Sequence, residues 1–502
     1  MAGSGRGDGN HHRCQNGLPR GPYFLKTTGP LLELALDLPA PGSRRRQQAL
    51  LQQLRAAILS GRLQPGLRLP ASRALAAQAG LARQTVVVAY DSLLAEGYLV
   101  ARPGAGTFVA DGAGQGPGPR RALPAERMPV KPAPPRRAAG EATPPPLDFR
   151  LGVPDIRAFP HTPWRRLAAR TLRELERAPV ERGPAAGEPA LREAIAQHVS
   201  FARAVAARGE QVIVSAGAQQ AFHLLARTLV AAGRRVVAVE DPGYPPVREA
   251  FAAAGARVLA VPVDGDGLVV ERLSGDVRVI CVTPSHQFPY GVPMSAARRR
   301  ALLAFARRHR ALVIEDDYDG EFRFDGRALD ALKTLDRDGD TVFYVGTFSK
   351  SLAPALRLGY VIAPPAWVEP LAAAREAADS HGPVLEQRIL AAFIAEGHLA
   401  RHVRRMQREY AARRRALLTG LAPLAAQLRP LPALAGLHLA AAAAPGLDLA
   451  ALTGRALAEG IGLHPLGAYA LRPDAAPALG FGYGAIDAAG ITEALRRLAR
   501  LL

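Results

Sequence analysis

From Leu147 to the C-terminal end, apolar runs of strand length alternate with segments of helical periodicity. That alternation points to an α/β domain, since each strand and helix must bury its apolar face against the next layer. The stretch before it has the opposite character. From Asp111 to Pro146 the chain reads DGAGQGPGPRRALPAERMPVKPAPPRRAAGEATPPP, too poor in apolar surface to offset its ordering entropy, and so a semi-extended linker. The sequence therefore divides into an irregular extension over 1–42, a compact unit over 43–110, a Pro/Gly/Arg-rich linker over 111–146 and a large domain over 147–502.

A chain of 502 residues exceeds one ordinary core. No apolar stretch is long enough to span a bilayer, and Met1 to Asn16 lacks the apolar core of a secretory signal. Cys14 and Cys281 form no disulfide framework or metal-ligand spacing. These features predict a cytoplasmic protein with neither metal nor membrane partner. The net charge of +20 suits nucleic-acid binding. It equally suits the arginine-heavy composition of GC-rich coding, because the only lysines are Lys26, Lys131, Lys333 and Lys350. Chemistry needing an amine nucleophile has few candidates.

Within the compact unit, Leu51, Leu54 and Ile58 mark one face of a helix from near Arg45 to Leu59, with Gly61 beyond its end. Ser72 is placed to cap a short second helix carrying Leu75 and Ala76, and Gly80 supplies a tight turn. A third helix spans about Arg83 to Glu96, with Val86, Val87, Tyr90, Leu93 and Leu94 inward. Tyr98-Leu99-Val100 and Thr107-Phe108-Val109 flank Arg102-Pro103-Gly104-Ala105-Gly106, a hairpin wing. This is a layout that reads double-stranded DNA. Arg83, Gln84 and Thr85 lie at the end of the third helix that enters a major groove. Arg73 is placed for a phosphate or base contact, and Gly104 lets the wing backbone approach a minor groove. The run from Gly61 to Ala110 resembles the GntR-type winged helix-turn-helix, whose pattern puts DNA contacts at Arg73, Arg83, Gln84, Thr85 and Gly104.

In the large domain, a strand over Thr341 to Val345 feeds Gly346-Thr347-Phe348-Ser349-Lys350. A Schiff-base lysine needs rigid anchoring and a depressed amine pKa. Thr347, Ser349 and Arg357 are suitable groups for a phosphate dianion beside it. A second strand, Ala311 to Ile314, leads into Glu315-Asp316-Asp317-Tyr318, where a carboxylate can pair with a protonated pyridine nitrogen. At Val214-Ser215-Ala216-Gly217-Ala218-Gln219 a strand passes through glycine into a helix, so the amides of Ala218 and Gln219 can meet a phosphate. Tyr244 offers an aromatic wall, and Pro284-Ser285-His286-Gln287-Phe288-Pro289-Tyr290-Gly291 offers polar groups for a ring hydroxyl.

These five ordered runs resemble the fold-type I aminotransferases. Behind a GntR-type head, they identify the chain as similar to the MocR subfamily of GntR-type transcription regulators. The resemblance implies pyridoxal 5'-phosphate as cofactor, held as an internal aldimine on Lys350. Asp316 would then face the pyridine nitrogen, Tyr318 and His286 the ring oxygen, and Tyr244 the ring. Ala218, Gln219, Thr347, Ser349 and Arg357 would hold the phosphate, and Lys333, in a polar stretch, would be solvated. It also implies a homodimer, and a small-molecule effector that is the cofactor itself, an amine or an amino acid. The function expected is effector sensing through the aldimine, with altered operator binding. The alternatives are an active aminotransferase carrying an accessory DNA-binding head and a cofactor-free dimerisation domain. The sequence departs from the aminotransferase pattern in three places. Phe288-Pro289-Tyr290-Gly291 replaces Asn-Pro-Thr-Gly, and Arg182 stands where a tyrosine usually reaches the neighbouring subunit's phosphate. The run Ala478-Leu479-Gly480-Phe481 lacks the carboxylate-clamping arginine, leaving Arg472 as the nearest candidate.

Overall fold

In a computed structural model the described residues are 36–39, 43, 46–102, 105–111, 144–324 and 330–502. Gly104 and residues 112–143 of the expected linker lie outside them.

The head is built on α1 (Arg46–Leu59), α2 (Ser72–Ala79) and α3 (Arg83–Ala95), followed by the antiparallel ribbon β1 (Leu99–Arg102) and β2 (Gly106–Val109). Leu50, Leu54, Ile58, Leu75, Val86 and Leu93 are shut off from solvent in one core. Gly80 ends α2 in the left-handed region at φ +59°, where glycine carries no side-chain penalty. Two expectations need correction. Val87 and Leu94 are half-buried rather than central, because each lies one helical step (about 100°) from a stripe already filled by Val86 and Leu93. Ser72 is not the cap of α2. Ala71 holds that position with no side-chain bond, and Ser72 is the first helical residue. The Tyr90 hydroxyl donates to the Pro70 carbonyl at 2.8 Å and ties down the approach to the helix.

The large domain opens with β3 (Leu147–Asp148), α4 (His161–Arg177), α5 (Pro189–Arg203), β4 (Val212–Ser215), α6 (Ala218–Ala231), β5 (Val236–Asp241) and α7 (Pro245–Ala253). It continues with β6 (Arg257–Asp264), β7 (Gly267–Leu268), β8 (Val279–Val282), α8 (Ala296–His309), β9 (Leu312–Asp317), β10 (Val342–Thr347) and β11 (Gly359–Ile362). Strands β4 to β11 form one sheet in the order β4-β11-β10-β9-β8-β5-β6-β7. The central strands β10, β9, β8, β5 and β6 are parallel, and β11 runs antiparallel between β10 and β4. Buried on both faces, these strands read as the continuous apolar runs that parallel sheets require.

Beyond the sheet lie α9 (Pro365–Asp379), α10 (Val384–Ala395) and the long α11 (His398–Leu421). A smaller antiparallel sheet follows, built from β12 (Leu428–Pro430), β13 (His438–Ala443), β15 (His464–Pro465) and β16 (Ala478–Gly482), with β14 (Ile461–Gly462) pairing instead with β3. Helices α12 (Leu449–Ala458) and α13 (Ala488–Leu498) cover it. No described helix is long and apolar enough to cross a membrane.

Candidate cofactor site and DNA-reading surface

Lys350 leaves the sheet three residues after β10 ends, and its Nζ donates to the Gly152 carbonyl at 2.6 Å. A Cβ on Gly152 would lie 3.1 Å from that nitrogen, so the backbone passes close only because the residue is glycine.

Asp316 lies in β9, opposite Val345 of β10. Three successive carboxylates here have three different fates. Glu315 accepts the backbone N–H groups of Leu332 and Lys333 at 2.7 and 2.8 Å. Asp317 accepts from Arg203 and from the Tyr344 hydroxyl, both at 2.6 Å. Asp316, between them and on the opposite strand face, keeps its Oδ1 buried with no partner in the chain. Burial, reinforced by Asp317 and Asp319, holds its carboxyl well above the usual carboxylate range, and Lys350 opposes that rise. An opposite charge delivered by a ligand is what this carboxylate lacks.

Asp316 and Tyr244 help line a cleft together with Phe222, Glu240, Cys281 and Thr283. Burial also pushes the Glu240 carboxyl up to about 7. Tyr244 meets Phe222 and Phe288 edge to face, with centroids 6.3 and 5.4 Å apart. The Tyr318 hydroxyl donates to the His286 carbonyl at 3.0 Å and lies 3.0 Å from His286 Nδ1. His286 in turn faces Asp319 at 3.1 Å and lies tilted against His438, with centroids 4.4 Å apart. Burial lowers the His438 pKa well below its ordinary value, keeping that ring neutral.

A cluster of polar groups forms where β4 and β10 end and β11 begins. Gly217 precedes α6 at φ +82° with no side-chain cap, leaving the first amides of the helix, at Ala218 and Gln219, facing outward. Thr347 Oγ1 lies 3.0 Å from Ser349 Oγ and accepts the Ser349 amide at 3.1 Å. Arg357 sits at the exposed rim and donates to the Ala216 carbonyl at 2.7 Å. A Cβ on Gly217 would come within 3.2 Å of the guanidinium, and one on Gly359 within 2.9 Å of the Gly217 backbone. Helix amides, two hydroxyls and a guanidinium suit a phosphate dianion. Together with a lone buried acid and an amine, they fit pyridoxal phosphate.

On the head, Arg83 and Gln84 are exposed at the start of α3, Thr85 is half-buried beside them, and Arg73 is exposed on α2. These four lie around the free end of one helix, the geometry that enters a major groove.

Lys333 departs from expectation. It is buried, not solvated, and donates to the Val342 carbonyl at 2.6 Å, with burial lowering its pKa. The polar residues around it belong to the turn, while its own side chain runs inward beneath β10. Arg182 pairs with exposed Glu376 at 2.9 Å, and Arg472 pairs with Asp474. His438 and Gly152 carry no sequence signal of a role, since each joins the site across a long chain separation, and Asp319 follows Tyr318 directly but acts on His286, 33 residues away. The histidine within the otherwise Ala/Leu-rich strand β13 was the one local signal.

Fold and site together define a fold-type I aminotransferase-like body carrying a winged helix-turn-helix. Bacterial regulatory proteins, gntR family, match residues 46–109, and Aminotransferase class I and II matches residues 158–440. The chain is 38% identical to the "Probable rhizopine catabolism regulatory protein MocR" of Rhizobium meliloti over 76% of its own length and 78% of that protein's. It is 35% identical to the "HTH-type pyridoxine biosynthesis transcriptional regulator PdxR" of Corynebacterium glutamicum, covering 91% and 95%. Among solved structures it resembles LysN, an α-aminoadipate aminotransferase from Thermus thermophilus complexed with N-(5'-phosphopyridoxyl)-L-leucine. That match has a TM-score of 0.63 and 29% identity, covering 71% of this chain and 92% of the other. The chain belongs to the MocR-type, GntR-family transcription regulators.

Proposed function

We propose that this regulator binds pyridoxal phosphate at Lys350, senses the cofactor or a primary amine or amino acid that reacts with it, and adjusts its grip on DNA accordingly. The observation that carries the reading is the buried, unpartnered oxygen of Asp316, within electrostatic reach of Lys350, in a chain whose first domain reads DNA. When bound, the cofactor supplies an aldehyde carbon that condenses with amines and a ring that withdraws electrons.

The protein's own groups do the rest. Asp316 holds a proton at the ring nitrogen, an ionic pair that relieves the carboxylate's isolation. Tyr244 covers one ring face. Tyr318, steadied by His286 and Asp319, presents its hydroxyl toward the ring oxygen. The α6 amides, Thr347, Ser349 and Arg357 would hold the phosphate, and Lys350 would supply the amine. Arg83, Gln84, Thr85 and Arg73 contact the duplex, with Gly104 at the wing. A homodimer in the cytoplasm would present two heads to two half-sites. Amino-acid transamination also calls for a carboxylate clamp, and Arg472, already paired with Asp474, favours sensing over turnover.

The test has two parts. Pyridoxal phosphate added to the purified chain should generate a visible absorbance band that Lys350→Ala abolishes. It should also change affinity for DNA fragments recovered by selection with the full chain. A band unaffected by Lys350→Ala would overturn the assignment, and repeated turnover on an amino-acid panel would make the protein an enzyme.

A further inference from the structure

The reading helix of the head is fastened to the cofactor domain at its far end. Residue Glu96, which follows α3, has its carbonyl accept the backbone N–H of Ala296, the first residue of α8, at 2.9 Å. Its carboxylate takes two bonds from Arg55 of α1, at 2.8 and 3.0 Å. Arg55 also pairs across the boundary with Asp330. The three side chains are only 12%, 11% and 21% exposed, so the network is screened far less than a surface pair. Ala296 is counted in the head's own apolar core, and Arg300 of α8 lies over the Tyr98 ring at 5.3 Å. A shallow cleft lined by Arg55, Glu96, Tyr98, Arg299 and Asp330 marks the boundary between the two bodies. The contact thus combines a buried polar network with a small apolar patch around Ala296.

On the other side of the boundary the same network leads directly to the cofactor site. Buried Arg299 donates to the Asp330 carbonyl at 3.0 Å and to the Pro284 carbonyl at 2.7 Å, and Pro284 lies two residues before His286. Glu315, immediately before Asp316, holds the backbone of Leu332 and Lys333, two and three residues past Asp330. Hydrogen bonds therefore link β9 and the His286 segment to the backbone at and just past Asp330 without a break.

We propose that Arg55, Glu96 and Asp330 form a latch that carries the state of the cofactor site to the DNA-reading helix. The latch holds the C-terminal end of α3. A 13-residue helix extends about 20 Å, so a small tilt at Glu96 displaces Arg83 and Gln84 at the other end. The proposal rests on the sensing function argued above and adds the route by which it acts.

The test compares operator affinity with and without pyridoxal phosphate in the full-length chain, using DNA selected by the wild type. Two variants are needed. Asp330→Asn removes the cross-boundary charge. Gly97→Cys with Ser295→Cys offers a cross-link, since a Cβ on Gly97 would lie 3.7 Å from that of Ser295, within the usual disulfide separation. The wild type should respond at least about fivefold. Asp330→Asn should take up cofactor with the wild-type absorbance band, yet its DNA affinity should respond by less than about twofold, below the usual range of coupling. The cross-linked pair should be unresponsive when oxidised and responsive when reduced, the reduced form carrying any cost of a side chain at φ +72°. A wild type whose affinity ignores cofactor overturns the sensing function and the latch with it. A wild type that responds while Asp330→Asn responds equally overturns the latch alone. Failure of the cysteines to cross-link overturns the docking geometry.

Discussion

Replacing Gly217 with alanine should separate recognition of the phosphate from recognition of the ring. Gly217 sits at φ +82°, ψ 171°, a region that is nearly closed to residues with a side chain. Forcing alanine there costs about 1–3 kcal/mol of stability. The new methyl would lie 3.2 Å from two guanidinium nitrogens of Arg357 and 3.3 Å from its central carbon. The guanidinium must retreat a few tenths of an ångström or turn away from the Ala216 carbonyl that positions it. Losing one charge-assisted hydrogen bond costs roughly 1.5–3 kcal/mol, which is about 10- to 150-fold in Kd. Absorbance titration of Gly217→Ala with pyridoxal phosphate should show that loss. Titration with pyridoxal, which lacks the phosphate, should change little. Equal weakening of both ligands, or full retention of the phosphorylated one, would refute the assignment of this corner as the phosphate cradle.

Three further outcomes follow from the same geometry. The folded protein holds the Glu240 proton more tightly than the unfolded chain, with a pKa of about 7 against 4.5. Its contribution to stability is therefore complete below the unfolded value and is lost as pH rises through about 7, on the order of 3 kcal/mol. Glu240→Gln cannot ionise, so denaturant midpoints should move increasingly in its favour between about pH 5 and 8; a pH-independent difference would contradict this. Arg83→Ala should weaken DNA binding and reduce the salt slope by about one, leaving cofactor uptake intact, as read by binding titrations at several salt concentrations. An unchanged slope would remove Arg83 from the interface. Leu93→Ala, at a fully buried position of the head, should cost about 2–5 kcal/mol and abolish DNA binding at a temperature where the cofactor band persists. Simultaneous loss of both signals would show that the two cores do not unfold separately.

The parts of the site that are contiguous in sequence were legible from it. Lys350 and the Thr347–Ser349 pair follow a strand, and Asp316 lies near the end of another, so the strand pattern points them to the carboxyl ends of the sheet strands. What escaped are groups whose roles depend on partners far along the chain. Lys333 looked solvated because Asp336, Arg337 and Asp338 surround it, yet its amine is claimed by a carbonyl in β10. Ser72 has the right chemistry for a cap, but the bond from Leu75 N–H to the Ala71 carbonyl starts the helix one residue earlier. Arg55 and Asp330 stand 275 residues apart, and no local pattern distinguishes either from a solvated charge.

The antiparallel course of β11 has a consequence for how such a site can change. The excursion that begins at Lys350 re-enters the sheet at Gly359, beside the strand it left, and Arg357 lies on the way back. The amine of Lys350 and the guanidinium of Arg357 thus belong to a single short closed circuit. Lengthening that circuit would displace both ends at once, so a change in what the site accepts has its freedom elsewhere, in the segments around Tyr244 and His286 that follow β5 and β8.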